Sequence, residues 1–424
     1  MVIKSLAERD RELIWHPYTQ MKNAGMPVPI VKGEGVYLIA EDGKRYIDAI
    51  SSWWVNIHGH AHPYIAEKVA EQLRTLEHVI FAGFTHPAAV DLAERLLEIL
   101  PPEQNKLFYS DNGSTAVEVA LKMCFQYWSN QNIEKTKVLA FSNSYHGDTF
   151  GAMAVSARSA FTRPFDDLLF DVKFIDLPDK ENTQRLKSYI SSISHELSAF
   201  IFEPLVQGSG GMLMYEAEYL DQLIRHCKEE GVLTIADEVM TGFGRTGKLF
   251  ASDHLSAKAD LMCFSKGLTG GTMALGVTTC TDKIYEAFLS DDKLKTLFHG
   301  HSFTANPVAC AAALASLDIL LEDKTISDIE RIRLSHQQFA EQIKKHPKVK
   351  DVRQTGTILA IEWENPAGTS YFNHLRDSLY HFFLEEGILL RPLGNIIYIL
   401  PPYCISNEEL DFVYSKISLA LERF

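Results

Sequence analysis

Short apolar runs of strand length recur along the chain, and amphipathic segments lie between several of them. Residues 114–130 and 217–230 carry apolar side chains at the spacing of one helix face. Strands that alternate with helices predict an α/β fold with a mostly parallel sheet, covered by helices on both faces. The runs of strand length are KVLAF (137–141), SAFIF (198–202), VLTIA (232–236), DLMCF (260–264) and LGVTT (275–279).

The pattern changes after an alanine-rich helix that we predict from Asn306 to about Leu321. Polar amphipathic helices follow, together with a strand-like segment at 352–363 and a last helix from Asn407 onward. This change predicts a large domain at residues 61–324 and a smaller α+β domain at residues 325–424. The chain has no internal repeat and no Pro/Ser-rich linker, so we expect the two domains to pack closely.

Composition and charge limit the kinds of molecule that we expect the protein to bind. The chain has 41 Lys and Arg against 55 Asp and Glu, which gives a formal net charge of -14. This balance disfavours nucleic acid and anionic membrane surfaces, because both are bound through an excess of cationic side chains. No segment resembles a secretory signal or a membrane span, and the six cysteines form no CxxC pair. We therefore predict a cytoplasmic protein with reduced, mostly structural thiols.

Two polar residues follow apolar runs at positions where open α/β sheets bind ligands. Asp237 ends the segment VLTIAD, and Lys266 follows DLMCFS. A lysine after a buried strand is partly desolvated, which lowers its pKa and frees an amine for Schiff-base formation. A carboxylate opposite that amine suits the pyridinium nitrogen of pyridoxal phosphate. Taken singly, Asp237 is better explained as a helix cap and Lys266 as a solvated loop charge.

A second candidate feature lies at the start of the helix predicted at 114–130. The segment YSDNGS places the amides of Gly113 and Ser114 at a helix N-terminus, which favours binding of an anion such as a cofactor phosphate. An ordinary Asn/Ser cap without a ligand explains the same residues equally well. Tyr145, in the loop after the next strand, could stack on a cofactor ring, although a loop tyrosine is a weak signal.

Six segments, in order along nearly the whole chain, resemble the class III aminotransferases of the type I pyridoxal-phosphate fold. The segments are SDNGSTAVEVALKM (110–123), SYHGDTFGA (144–152), FEPLVQGSGGM (202–212), IADEVMTGFGRTGK (235–248), FSKGLTGG (264–271) and HGHSFTANPVACAAALASL (299–317). The resemblance implies an α/β aminotransferase with a large cofactor-binding domain, a smaller α+β domain and pyridoxal 5′-phosphate as cofactor.

The resemblance also assigns roles to residues of the cofactor site. Lys266 matches the lysine that forms the Schiff base, and Asp237 matches the partner of the pyridine nitrogen. Gly113 and Ser114 match the phosphate cup, and Tyr145 matches the aromatic residue that lies against the ring. Lys266 would also carry the proton of the substrate's α carbon, first as general base and then as general acid.

Further residues match less closely. Gly300, His301 and Ser302 match a loop that reaches across a dimer interface to the neighbour's phosphate, which implies a homodimer with shared active sites. The commonest pattern has Thr where this chain has Ser302; the hydroxyl is retained, so we expect the contact to persist. Glu203 and Gln207 resemble residues near the cofactor hydroxyl and behind the site, and their roles stay open.

Two N-terminal segments, LIWHPYTQM (13–21) and SSWWVNIHGHAHP (51–63), resemble the biotin-pathway branch of the family. Residues 1–60 would accordingly join the small domain and the substrate pocket. That branch converts 8-amino-7-oxononanoate to 7,8-diaminononanoate with S-adenosylmethionine as amino donor, in a ping-pong reaction through pyridoxamine phosphate. Lysine as donor and another class III activity, on a diamine or an ω-amino acid, remain as alternatives.

The branch resemblance implies a substrate site as well. Tyr18, Trp53 and Tyr145 would wall an apolar cavity, Tyr18 would join Lys266 among the catalytic residues, and Gly300 would contact substrate. Arg391, within the apolar run LLRPL, would bind the terminal carboxylate of the oxononanoate, since a guanidinium can bind a carboxylate through two hydrogen bonds. Plain core packing remains an alternative for both Trp53 and Trp54, and a surface ion pair for Arg391.

Three other classes of function fit the sequence less well. The segment 242–248 matches GxxxxGK of a phosphate-binding loop, but Leu249 stands where a magnesium-binding Ser or Thr is required. His58, His60 and His62 could converge on a metal, yet no carboxylate or Cys partner is evident nearby, so we predict no metal site. A non-enzymatic, cofactor-binding regulator usually carries a DNA-binding appendage, for which we see no spare length.

Overall fold

The structure, a computed structural model, describes residues 4–365, 368–369, 373 and 375–424. Its helices are α1 (Leu6–Leu13), α2 (Ser51–Trp54), α3 (Pro63–Thr75), α4 (Pro87–Ile99), α5 (Gly113–Asn130), α6 (Phe150–Ala154), α7 (Thr183–Ile193), α8 (Ala217–Glu229), α9 (Asp282–Glu286), α10 (Pro307–Leu320), α11 (Asp323–Ile343), α12 (Leu375–Glu385) and α13 (Asn407–Arg423). Short 3-10 turns cover Arg163–Leu168, Ala251–His254, Lys266–Thr269 and Lys293–Lys295.

The strands fall into one large sheet and several small ones. They are β1 (Ile30–Glu34), β2 (Tyr37–Ala40), β3 (Arg45–Asp48), β4 (Gln104–Ser110), β5 (Lys137–Phe141), β6 (Val172–Ile175), β7 (Leu197–Phe202), β8 (Val206–Gln207), β9 (Leu213–Met214), β10 (Leu233–Asp237), β11 (Leu261–Phe264), β12 (Gly276–Thr281), β13 (Val349–Thr355), β14 (Ile358–Trp363), β15 (Ile388–Leu389) and β16 (Ile396–Ile399).

The large sheet has seven strands in the order β4-β12-β11-β10-β7-β5-β6. Neighbouring strands are parallel from β11 to β6, and β12 is antiparallel to both of its neighbours. Alternate side chains of β5 enter different cores: Leu139 and Phe141 pack in one hydrophobic cluster, and Val138 and Ala140 pack in another with α5. Each face of the sheet therefore has its own core, as the apolar runs predict.

The predicted α/β fold is confirmed, and the five apolar runs each coincide with a strand within one or two residues. Two strands of the large sheet were not predicted. β4 has the sequence QNKLFYS and β6 has VKFI, and neither is a continuous apolar run. The strand-like segment 352–363 belongs to two antiparallel strands, β13 and β14, which turn at Gly356 with a φ of 54°. Glycine is favoured at such a turn because its backbone adopts the left-handed region without strain. The prediction of a single strand over 352–363 was therefore wrong.

Of the three small sheets, one combines the two ends of the chain. β1, β2 and β3 form a sheet that β15 joins in parallel, with Ile47 opposite Ile388. β13, β14 and β16 form an antiparallel sheet. This pairing joins the first sixty residues to the C-terminal part of the chain, while the boundaries at residues 60 and 324 remain predictions. No helix in the described ranges is both long and apolar enough to cross a membrane.

Candidate active site

Two adjoining cavities open at the ends of strands in the large sheet. The polar cavity, of about 620 Å³, is lined among others by Asn112, Gly113, Ser114, His146, Asp237 and Lys266. The aromatic cavity, of about 880 Å³, is lined among others by Tyr18, Trp53, Phe161, Arg391, Leu393 and Tyr398. Trp54, Tyr145, Asp148 and Lys266 line both. A molecule bound in either cavity would therefore meet the same lysine.

Lys266 stands at the junction of the cavities, directly after β11 and at the start of a 3-10 turn. Its backbone has a φ of 48°, a conformation that is strained for a residue with a side chain. Burial lowers the pKa of its amine to about 8, against the opposing effect of the Asp237 and Glu203 carboxylates. The amine can therefore exchange a proton near neutral pH, as the sequence analysis expects of this position.

Asp237 ends β10, beside β11, and is almost completely buried. Its Oδ2 lies 2.6 Å from His146 Nδ1, and its Oδ1 accepts a hydrogen bond of 3.1 Å from the Val239 amide. The sequence analysis did not single out His146, although it lies in the SYHGD segment next to Tyr145. Its partner is 91 residues away in the chain, so no local pattern could indicate the pair.

Glu203 also lines the polar cavity, and both of its carboxylate oxygens accept hydrogen bonds. Oε1 accepts from the Tyr145 amide at 2.9 Å and Oε2 from the Gly208 amide at 3.0 Å. Burial raises the pKa of this carboxyl to about 7. Gln207 lines neither cavity; its Nε2 donates to the Ser142 carbonyl at 3.0 Å. Glu203 thus fixes the loop that carries Tyr145, and Gln207 supports the same loop from behind.

The other end of the polar cavity is the N-terminus of α5. Asn112 caps the helix, with its Oδ1 accepting from the Thr115 amide at 3.0 Å and its carbonyl accepting from the Ala116 amide at 3.0 Å. Among the described residues, the amides of Gly113 and Ser114 have no acceptor. A Cβ on Gly113 would lie 2.6 Å from Val239 Cγ1, so only glycine fits this cradle. Two open amides at an 18-residue helix suit a phosphate.

Aromatic side chains form the outer cavity. The Tyr18 ring lies 5.6 Å from the Trp53 ring and 5.8 Å from the Phe161 ring. The Tyr18 hydroxyl donates to Asp148 and lies 3.4 Å from the Tyr145 hydroxyl. Burial, together with this contact, raises the pKa of Tyr145 far above its usual value. Tyr145 therefore stays neutral and can act only through its ring and its hydroxyl group.

Arg391 provides a cation in the wall of the aromatic cavity. Its guanidinium carbon lies 4.8 Å above the Trp53 ring, and no carboxylate of the described chain pairs with it. Trp53 is 40% exposed, whereas Trp54 is 4% exposed. Plain core packing thus does not describe Trp53, and a surface ion pair does not describe Arg391. Trp54 is buried but still lines both cavities.

Gly300, His301 and Ser302 line neither cavity of their own chain. They lie in the segment between the turn Lys293–Lys295 and α10, where the His301 amide donates to Thr304 Oγ1 at 3.1 Å. The structure therefore does not bring them together with the other predicted residues of the same chain. Their predicted contact across a dimer interface stays a prediction.

The motifs of the rival hypotheses have structural roles. His58 Nε2 lies 3.0 Å from Ser316 Oγ, and His60 Nε2 lies 2.8 Å from Asp48 Oδ2. No cluster of potential metal ligands is found among the residues that the structure covers. Arg245, within the GxxxxGK segment, is buried, and it donates to the Pro401 carbonyl at 2.8 Å. The segment begins no α-helix, so it lacks the geometry of a phosphate-binding loop.

Comparisons with known proteins place the chain in a family. The profile of the family described as aminotransferase class-III matches residues 18–421, and the chain belongs to this family. It is 46% identical to an adenosylmethionine-8-amino-7-oxononanoate aminotransferase of Synechococcus elongatus, over 96% of this chain and 98% of the relative. A Geobacter sulfurreducens protein of the same name is 40% identical, over 99% of this chain and 97% of the relative.

Solved structures give the same result. The adenosylmethionine-8-amino-7-oxononanoate aminotransferase of Methanocaldococcus jannaschii superposes with a TM-score of 0.94 at 36% identity, covering 99% of this chain and 98% of the other. An omega transaminase of Pseudomonas jessenii, solved in complex with PMP, has a TM-score of 0.93 at 26% identity, covering 99% and 98%. The resemblance to class III aminotransferases is thereby confirmed, and the family implies pyridoxal phosphate as the cofactor.

Proposed function

We propose that this chain transfers an amino group from S-adenosylmethionine to 8-amino-7-oxononanoate, which yields the 7,8-diaminononanoate of biotin biosynthesis. The observation that carries the proposal is the position of Lys266, which lines both a phosphate-suited polar cavity and an aromatic cavity whose Arg391 pairs with no carboxylate of the described residues. The names of the relatives support the choice of substrates.

The residues of the polar cavity fit pyridoxal 5′-phosphate. The Gly113 and Ser114 amides would bind its phosphate, and the Asp237 carboxylate would keep its pyridine nitrogen protonated. Tyr145 would lie against the ring. When bound, the cofactor supplies an aldehyde that takes up an amino group and a ring that withdraws electrons. The contact between His146 and Asp237 supports this assignment, because it fixes the orientation of the carboxylate.

Lys266 performs the proton transfers in this proposal. Its Nζ would hold the cofactor between turnovers, and the amine would be free for proton transfer once the donor is bound. The freed amine removes the proton from the donor's α carbon as a general base, and later delivers a proton to the former carbonyl carbon of the acceptor as a general acid. A pKa of about 8 serves both roles, because neither the neutral nor the charged form is costly near neutral pH.

The aromatic cavity would bind both substrates in turn. Arg391 would bind the terminal carboxylate of the oxononanoate, and it has no competing carboxylate within the described chain. Tyr18, Trp53 and Tyr145 would cover the aliphatic chain and exclude water from the reacting carbon. Gly300 lines neither cavity of its own chain, so its substrate contact would be made in the site of a second copy. A wall of rings with Arg391 as a cation that pairs with no carboxylate of the described chain suits two substrates of dissimilar shape.

A second copy of the chain would complete the site. Gly300, His301 and Ser302 lie outside the cavities of their own chain, which supports the proposal that they reach a partner's phosphate in a homodimer. Mixing Lys266→Ala and Ser302→Ala proteins tests this sharing, because the mixed dimer would have one site free of both changes. Restored turnover in the mixture would support sharing, and no restoration would contradict it.

Single-turnover absorbance tests the reaction itself. The pyridoxal-loaded protein is mixed separately with S-adenosylmethionine and with lysine, and 8-amino-7-oxononanoate is then added. We expect S-adenosylmethionine to bleach the pyridoxal absorbance and the oxononanoate to restore it. Bleaching by lysine alone would identify lysine, and not S-adenosylmethionine, as the amino donor. If neither compound bleaches the absorbance, both donor assignments would be wrong and another class III substrate would be favoured.

A further inference from the structure

Lys266 and Trp54 form a cation–π pair where the two cavities meet. Lys266 Nζ lies 4.5 Å from the centroid of the Trp54 ring. Within the part of the chain that the structure describes, Nζ makes no hydrogen bond and no ion pair. The indole ring is therefore the direct partner of this ammonium group, while the Asp237 and Glu203 carboxylates attract it without a hydrogen bond.

The Trp54 ring is held rigidly. It is 4% exposed, and the Tyr398 ring packs edge-on at a centroid distance of 6.0 Å. The Trp54 amide donates to the Ile50 carbonyl at 3.1 Å, and Arg245 donates to the Trp54 carbonyl at 3.4 Å. An added Cβ on Gly208 would lie 3.1 Å from Trp54 Cζ3, so glycine leaves room for the ring. The ring thus forms a fixed surface beside a movable lysine.

Both partners adopt a strained backbone conformation. Trp54 has a φ of 70° and Lys266 has a φ of 48°, both in the left-handed region that residues with a side chain rarely adopt. Such conformations persist only where the surrounding structure enforces them, and they concentrate at functional sites. The strained backbone at both residues indicates that the relative position of their side chains serves the function of the site.

An aromatic surface has a chemical advantage here over a carboxylate. The charged groups that face Lys266 are Asp237, Glu203 and Arg245, and burial outweighs them to give a pKa of about 8. A carboxylate in direct contact would hold the amine charged and raise that pKa. A ring face attracts the ammonium through its quadrupole but accepts no proton, so the neutral amine leaves it with its lone pair free.

We propose that Trp54 is a positioning residue whose indole face holds the Lys266 ammonium in the wall shared by the two cavities whenever Nζ is not bonded to the cofactor. The inference rests on the proposed role of Lys266 as the cofactor-binding lysine. It assigns Trp54 a task in addition to lining the substrate cavity. The neighbouring pair of Arg391 and Trp53 has a similar separation, 4.8 Å, and provides a matched control.

The test uses full-length protein saturated with pyridoxamine 5′-phosphate, which lacks the aldehyde and leaves Nζ free. Lys266 is titrated by competitive acetylation across pH, with mass spectrometry of its peptide. We expect Trp54→Leu to lower the midpoint by roughly 0.5–1 pH unit, because the ammonium loses its attraction to the ring. Trp54→Phe should shift it less, and Trp53→Leu should leave it unchanged. An unchanged or raised midpoint in Trp54→Leu would overturn the proposal.

A second measurement covers the case in which Trp54→Leu folds poorly. Urea unfolding of Trp54→Phe, Lys266→Met and the double variant forms a cycle that measures how much more strongly the indole ring couples to Lys266 than a phenyl ring does. This coupling is expected at about pH 6.5, where the amine is charged, and should vanish at about pH 9.5, above its pKa of about 8. Additive effects at both pH values would contradict a specific role of the indole ring. Neither measurement needs turnover, so failure of the proposed reaction would be seen separately.

Discussion

The two cavities differ in how their polar groups are satisfied. In the polar cavity, Asp237 and Glu203 are buried and each carboxylate oxygen has a partner. In the aromatic cavity, Arg391 and Trp53 are partly exposed, and the arginine has no carboxylate partner among the described residues. The carboxylates of the polar cavity are therefore fixed before a ligand arrives, whereas the aromatic cavity leaves a charge for the ligand to satisfy. Changes in the polar cavity should therefore affect chemistry, and changes in the aromatic cavity should affect binding.

The largest effect should come from Lys266→Ala. Removing the amine removes both the bond to the cofactor and the proton carrier, so we expect turnover to fall by roughly 10⁴-fold or more. Steady-state assays measure it, with the exposed Lys228→Ala as control. The unfolding temperature should change little, because the amine makes no hydrogen bond within the described chain. Turnover at the wild-type rate would overturn the catalytic assignment.

Asp237→Asn should have the next largest effect. The amide keeps the size of the side chain and can still bond to Val239, but it cannot hold a pyridine nitrogen protonated. We expect kcat to fall by roughly 10²–10³-fold with little change in KM, as for loss of other pre-organised electrostatic groups. His146→Asn, which changes only the neighbour of this carboxylate, should cost less. An equal loss in both variants would show that Asp237 and His146 act as one unit.

A pH profile sharpens the contrast without any substitution. The general base must be neutral, and burial places the pKa of Lys266 near 8. The rate of proton removal from the donor should rise as pH increases through about 8 and fall by roughly tenfold per unit below it. Single-turnover rates between about pH 6 and pH 9 measure this. A flat profile over that range would exclude Lys266 as the group that limits the rate.

Arg391→Leu examines the aromatic cavity. A charge-assisted hydrogen bond to the substrate carboxylate would be lost, which should lower kcat/KM for the oxononanoate by roughly 10- to 100-fold, mainly through KM. Arg391→Lys is the matched control, since it retains the charge without the bidentate geometry, and should recover part of the loss. A fall in kcat with KM unchanged would instead place Arg391 in the chemical step.

The smallest effect should follow from Trp53→Leu. Trp53 is partly exposed and supports Arg391 through its ring, so we expect a loss of only about 2- to 5-fold in kcat/KM. In the Arg391→Leu background the same change should cost less, because the ring then has no cation to hold. Additive losses in the double variant would show that Trp53 contacts substrate independently of Arg391.

The fold was predictable where side-chain pattern reflects burial. β5, β7, β10, β11 and β12 were found because each is an apolar run with both faces covered. β4 and β6 were missed because their polar and charged residues obscure that signal. The hairpin of β13 and β14 was read as one strand, since a turn at Gly356 interrupts an otherwise continuous strand-like pattern.

The site was predictable only in its parts. Three site residues lie where an element begins or ends: Asp237 and Lys266 at the ends of strands and Gly113 at the start of a helix. The order of strands and helices along the sequence is enough to predict such positions. The contacts that join Asp237 to His146, Tyr18 to Asp148 and Lys266 to Trp54 link residues far apart in sequence. Such pairs depend on tertiary packing, which no local pattern encodes. The loop with His301 and Ser302 depends further on a second chain, and its role remains a prediction.

The joining of the two chain ends has a consequence for synthesis. The segment with Trp53 and Trp54 is held by late residues: Ala49 and Ser51 bond to Leu400, and Ile57 bonds to Tyr403. A ribosome completes the strands of the large sheet more than a hundred residues before it reaches these partners. The wall of the aromatic cavity can therefore form only after these late residues have been synthesised. Its formation pairs residues separated by about 350 positions, and such long-range pairing is a slow step in folding. A nascent chain would accordingly acquire the phosphate-suited end of the polar cavity, at Gly113 and Ser114, before it acquires a place for substrate.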